Sequence, residues 1–298
     1  MATFTAPDGT ELAYEVQGDG VDGRPPAICI PGGPMRDPAY LGDLGGLSAK
    51  RRLIILHLRG TGGSAVPEDP ASWRCDRQVG DVEALREHLG LEQLDLIAHS
   101  AGGAIGILYA AAHPERVASL TLVTPNLRAL GLATTEADRE EARLLRNEEP
   151  WFADAYTAAQ RIAEDPYRAS EEDWDLAAPF AYGRWDAAAE RHNLATTGNE
   201  EAAQAYFGDD ADDTGRDDDG DDRAINPDAV RAALAGLHAP VLILAGEYDG
   251  NPRPRVAHRA AASFSSAACV SVQPGAGHFP WVDDPETFTR LIEESWQA

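Results

Sequence analysis

The chain has 298 residues, 43% of them apolar, and carries 50 acidic against 25 basic side chains for a formal net charge of −25. That size accommodates one large α/β domain with an insertion. A surface so acidic repels nucleic acid and anionic membrane, so neither is expected as a partner.

Reading along the chain, Asp8-Gly9 is a turn signal, and Leu12, Tyr14 and Val16 alternate with polar neighbours, predicting a hairpin. Ala27–Ile30 reads as a buried strand and is followed by Pro31-Gly32-Gly33-Pro34. Leu53–Leu56 is the next buried strand, leading into the glycine-rich run His57–Ser64. That run lacks a Gly-Lys-Ser/Thr ending, which argues against a phosphate-binding loop. A helix from about Gln78 to Leu89 places Val82, Leu85 and Leu89 on one face. A strand at Leu94–Ala98, a sharp turn at His99-Ser100-Ala101 and a helix at Ala104–Ala112, ending before Pro114, come next. Leu120–Val123 is a further strand.

From about residue 125 to 237 the strand signal lapses and helices rich in Ala, Glu, Arg and Trp take over. This stretch is expected to be a helical cap over the carboxyl ends of the strands, inserted between core segments 1–124 and 238–298. Within it, 209–222 is a low-complexity acidic tract without EF-hand spacing, read as a surface loop. Strands return at Val241–Ala245 and Cys269–Val272, and Asp284-Pro285 caps a final helix with Phe288, Leu291 and Ile292 facing inward. Strands alternating with helices imply a mostly parallel sheet covered on both faces. Cys29 and Cys269 lie in apolar strand segments and are read as buried thiols; with Cys75 they form neither a disulfide framework nor a metal-ligand spacing. No apolar run is long enough to span a bilayer. Met1-Ala2-Thr3-Phe4 has no basic and apolar leader, so a cytoplasmic location is expected.

The chemistry concentrates at strand ends. A serine on a sharp strand-to-helix turn projects its hydroxyl out of the sheet, and Ala98-His99-Ser100-Ala101-Gly102 follows that pattern with Ala98 at the first glycine position. Serine is a weak nucleophile until an imidazole takes its proton and a carboxylate orients the imidazole. Asp249 lies just past the strand Val241–Ala245, with Glu247 as a lower-ranked alternative acid, and His278 lies in Gly275-Ala276-Gly277-His278. Developing negative charge on an attacked carbonyl needs prepositioned donors, and the amides of Gly33 and Ala101 are the candidates. No metal or cofactor is required.

Taken together, these residues resemble the α/β-hydrolase superfamily over nearly the whole chain, and within it the proline iminopeptidase-like hydrolases (prolyl aminopeptidases, peptidase family S33). The carriers are Pro31-Gly32-Gly33-Pro34, Leu58-Arg59-Gly60-Thr61-Gly62-Gly63-Ser64, the segment from Asp81 to Gly103 and Gly275-Ala276-Gly277-His278. The chain departs from the family pattern where Pro31 replaces His and Ala98 replaces Gly, and where His99 precedes the serine. The resemblance implies an α/β-hydrolase fold, a Ser100–Asp249–His278 triad and an aminopeptidase or amide hydrolase. An aminopeptidase needs an acid in the cap to hold the substrate's ammonium, and the nearest counterparts are Trp185-Asp186 with Glu190 one turn on. A carboxylesterase, lactonase or thioesterase would use the same triad, and a non-hydrolytic ligand-binding protein could use the same fold.

Overall fold

The computed structural model describes every residue except 21–22, 167, 196, 209–224, 265–267 and 297–298. The acidic tract 209–222 therefore lies outside the described residues. Among the described residues, eight strands form one sheet in the order β1-β2-β4-β3-β5-β6-β7-β8. The strands are β1 (Ala2–Thr5), β2 (Glu11–Gln17), β3 (Ala27–Ile30), β4 (Leu53–Leu56), β5 (Leu94–His99), β6 (Val117–Val123), β7 (Val241–Gly246) and β8 (Ala268–Gln273). The hairpin β1–β2 runs antiparallel and joins β4 antiparallel, while β3 to β8 are parallel to one another.

Parallel strands covered on both faces must be apolar at every position, and β3, β4 and β7 are buried throughout. The two-residue period of a strand divides them between two cores. Ile28, Ile30, Val241 and Ile243 pack on one face, and Ala27, Cys29, Leu242 and Leu244 on the other. The first face is covered by α1 (Val79–His88) and α2 (Gly102–Ala112). On that side α2 sits so close to β5 that a side chain at Gly106 would meet Ala98 Cβ at 3.0 Å. Glycine at 106 thus lets α2 approach a strand that carries alanine at 98.

Between β6 and β7 come α3 (Glu136–Leu144), α4 (Phe152–Glu164), α5 (Glu171–Ala177), α6 (Ala187–Leu194), α7 (Glu200–Ala205) and α8 (Pro227–Leu234). Four of them, α3 to α6, border the cleft described below. Val230 and Leu234 of α8, and Ala202 of α7, belong to the same core as α2, because their apolar faces find cover there. Then α9 (Pro254–Ala261) packs on β7 and β8, and α10 (Pro280–Asp283) leads into α11 (Pro285–Ser295). Asp284 caps α11 by accepting from the Thr287 amide, and Phe288 and Ile292 are buried. Leu291 is half-buried.

Cys29 is buried as expected, but Cys269 is exposed. β8 is the edge strand. Ala268 and Val270 point to the face that α9 covers, whereas Cys269 points to the opposite face, where the cover thins out.

Candidate active site

Ser100 follows β5 at φ 51°, the left-handed region that a non-glycine residue occupies at a cost of about 1–3 kcal/mol. The surroundings hold it there. The Ser100 amide donates to Val123 O (3.0 Å), and its carbonyl accepts from the amides of Gly103 (2.9 Å) and Asn126 (2.8 Å). Gly32 presses against the same turn: a Cβ on it would lie 2.6 Å from His99 O and 2.7 Å from Ser100 Cβ.

The three groups distant in sequence meet here. His278 Nε2 is 2.8 Å from Ser100 Oγ, and His278 Nδ1 is 2.9 Å from Asp249 Oδ2. A carboxylate can only accept, so Nδ1 carries the proton and Nε2 is left to accept from the serine hydroxyl. Asp249 is buried, and its other oxygen accepts from the Asn251 amide (2.8 Å). Glu247, the alternative acid, instead accepts from the Gly275 amide at 2.8 Å.

The backbone of His278 is fixed at both ends. Its amide donates to Ala181 O (2.7 Å), and its carbonyl accepts from Thr124 Oγ1 and His99 Nε2, both at 3.0 Å. His99 is fully enclosed; burial, reinforced by the neighbouring His278, holds its pKa well below the ordinary value. The neutral ring donates through Nε2, so Nδ1 accepts from Tyr40 Oη at 2.7 Å, and Tyr40 Oη in turn accepts from the Gly32 amide at 2.6 Å. A chain of hydrogen bonds thus ties the Gly32-Gly33 loop to the loop of His278. Ahead of His278, the Gly277 amide donates to Asp283 (2.8 Å), whose other oxygen accepts from the Gly183 amide (2.9 Å).

The amides expected to receive an oxyanion, those of Gly33 and Ala101, make no hydrogen bond among the described residues. Gly33 borders the cleft beside Ser100, and Ala101 is the N-terminal cap of α2, where the helix dipole favours negative charge.

These groups open into a cleft of about 910 Å³. Trp174, Ile162 and Phe180 supply apolar wall, and Arg36, Arg139, Arg143 and Arg146 supply charge. Arg146 is buried and donates to the carbonyls of Pro179 (3.2 Å), Phe180 (2.7 Å) and Tyr182. Burial pulls its pKa down to about 10, against the pull of Asp283 and Asp249. It therefore pins the segment whose Ala181 carbonyl receives the His278 amide.

The expected ammonium site is not part of this cleft. Asp186 caps α6, accepting from the amides of Ala188 (2.8 Å) and Ala189 (3.1 Å), and pairs with Arg184 at 2.8 Å. Its carboxylate is occupied by the helix end it begins. Glu190 is exposed, and Trp185 packs on Tyr182 with ring centroids 5.4 Å apart. None of the three borders the cavity. Arg59, in the glycine-rich loop after β4, also serves structure: it grips Asp81 at 2.6 Å through two nitrogens and pairs with Asp8. Tyr40, Arg36, Arg146 and Asp283 escaped the reading of the sequence. Each lies in a loop or a one-turn helix too short for periodicity to show which way a side chain faces.

The profile of the α/β-hydrolase fold family matches residues 25–285. The chain belongs to that family. Within the α/β-hydrolases, a proline iminopeptidase of Lactobacillus helveticus (strain DPC 4571) is 36% identical over 118 residues, a stretch covering 38% of this chain and 40% of that relative. The chain thus matches well under half the length of this curated relative. Among solved structures of α/β-hydrolases, the proline iminopeptidase of Mycobacterium smegmatis superposes with a TM-score of 0.70 at 22% identity, covering 99% of this chain and 98% of that one. An esterase from Rhodococcus sp. ECU1013 superposes at 0.65 with 23% identity, covering 100% and 98%. Over that stretch of 118 residues this α/β-hydrolase is similar in sequence to a proline iminopeptidase, and the two superpositions establish its fold. Among the described residues no helix is long and apolar enough to cross a membrane.

Proposed function

We propose that this α/β-hydrolase is a serine hydrolase that cleaves a carboxylic ester or amide of a small molecule or short peptide through an acyl-enzyme. The observation that carries the reading is the continuous relay from Ser100 Oγ through His278 to Asp249, with contacts of 2.8 and 2.9 Å. Ser100 Oγ bonds to the substrate carbonyl carbon as its proton passes to His278 Nε2. The carbonyl oxygen, now anionic, rests on the amides of Gly33 and Ala101. The carbon–oxygen or carbon–nitrogen bond then breaks, and the leaving group takes the proton from His278. Water, deprotonated by His278, attacks the acyl carbon; the Ser100–acyl bond breaks, and the proton returns to Ser100. Helices α3 to α6 act as the cap, closing the cleft over these groups and limiting the access of water.

A second reading, an iminopeptidase-type aminopeptidase, is favoured by the sequence similarity to proline iminopeptidases. The ester reading needs no carboxylate from the cap, and Asp186, the acid suggested by the sequence for a substrate ammonium, is committed to α6. Fluorophosphonate labelling with Ser100→Ala as control tests the nucleophile: labelling that survives the substitution overturns the assignment. p-Nitrophenyl esters set against proline p-nitroanilide separate the two readings.

A further inference from the structure

Arg36 stands out among the cations of the cleft. In a chain with twice as many acids as bases, it borders the cavity beside Gly33 and Ser100 with no carboxylate partner among the described residues. The other arginines there are engaged. Arg139 pairs with Glu136 at 3.3 Å, Arg143 pairs with Glu136 and Glu140, and Arg146 is held by three carbonyls. Of the carboxylates on the cavity wall, Glu136 is occupied by those pairs, Asp249 faces His278, and Asp175 is exposed on α5.

The Arg36 side chain is half-buried. Its guanidinium carbon lies 5.4 Å from the centroid of Tyr40 and 5.8 Å from that of Phe279, the residue after His278. Its main chain is fixed: the amide donates to Gly32 O (3.1 Å), and Arg36 bridges to Gly198. Ring faces hold the guanidinium but accept none of its N–H donors in the manner of a carboxylate, and a partly desolvated cation without an anion is costly. The neighbouring His99 and His192 are kept below their ordinary pKa, chiefly by burial, and Arg36 adds to that effect. Neither of these two rings therefore competes with it for an anion.

We infer that Arg36 is the specificity-determining residue of the cleft and that it binds a carboxylate carried by the substrate beside the carbonyl that Ser100 attacks. The planar guanidinium matches a carboxylate bidentately. The substrate is accordingly an ester or amide whose acyl or leaving part is an acid. This rests on the serine-hydrolase reading and goes further by naming the charge of the substrate.

The test uses two sets of esters on the intact protein. On the acyl side, mono-p-nitrophenyl adipate is compared with its methyl ester and with the p-nitrophenyl ester of 6-aminohexanoate. On the leaving side, 4-carboxyphenyl acetate is compared with phenyl acetate and 4-(aminomethyl)phenyl acetate, each corrected for spontaneous hydrolysis. The expected result is a kcat/KM at least tenfold higher for the carboxylate ester in one set, expressed mainly in KM. That ratio should collapse towards one in Arg36→Gln and be kept in part by Arg36→Lys, with circular dichroism confirming folded variants. Equal rates within both sets, or a preference for the ammonium esters, overturns the proposal even if Arg36→Gln does not fold. So does a wild-type preference that Arg36→Gln retains. Failure of the hydrolase reading looks different: no ester is turned over and Ser100 takes no fluorophosphonate label.

Discussion

Tyr40 Oη lies 2.7 Å from His99 Nδ1 and 2.6 Å from the Gly32 amide, so one phenol joins the proposed oxyanion loop to the ring that supports the His278 carbonyl. Tyr40→Phe keeps the ring packing and removes both bonds. It strands a buried amide and a buried imidazole nitrogen at about 1–3 kcal/mol each. We expect urea denaturation to show a loss of about 2–6 kcal/mol. Ester kinetics should show a roughly tenfold fall in kcat with KM nearly constant, since the groups displaced are those that act on the transition state.

Gly32→Ala tests the fit at the elbow directly. The added methyl meets His99 O at 2.6 Å and Ser100 Cβ at 2.7 Å, and the first of these is backbone that cannot swing aside. A displacement of about 1 Å at the nucleophile costs on the order of a hundredfold in rate. Fluorophosphonate labelling of the variant should slow by a similar factor, which stopped-time labelling measures.

Asp283 gives a pH signature with a definite sign. Burial lifts its pKa from 3.8 to about 6, against the amide hydrogen bonds of Gly277 and Gly183, which lower it. A carboxyl raised in the folded state holds its proton more tightly folded than unfolded. Its contribution to stability is therefore fully present below pH 3.8 and is lost as pH climbs to about 6. Relative to Asp283→Asn, the wild type should lose about 2–3 kcal/mol between pH 4 and 7. Parallel denaturation curves across that range check it; a constant difference contradicts it.

Asp186→Ala separates a helix cap from a substrate site. Losing an N-cap carboxylate costs about 1 kcal/mol. We expect a lower denaturation midpoint and no change in the ratio of ester to aminoacyl-arylamide turnover. A selective loss of arylamide activity would restore Asp186 to the substrate pocket.

Ser100, Asp249 and His278 were legible in the sequence because each follows a predominantly apolar strand. Parallel strands of one sheet end on the same side, so β5, β7 and β8 bring these residues to one edge. The hairpin, the sheet and the cap of α11 were legible for the same local reasons. Arg36, Tyr40 and Arg146 were not, since their positions depend on how loops travel in three dimensions. Asp186 carried two signals: beside the resemblance that suggested a substrate acid, an acid immediately before Ala187-Ala188-Ala189 is the ordinary start of a helix, and it caps α6 here. Cys269 was misread because apolar neighbours reveal a strand but not that it lies at the rim of the sheet.

The relay also has a temporal side. The nucleophile is made early in synthesis, on a central strand, whereas the imidazole comes 178 positions later, after the outermost one. A nascent polypeptide still short of β8 carries the serine with no base to activate it, so the enzyme proposed here stays silent on the ribosome until its last strand docks.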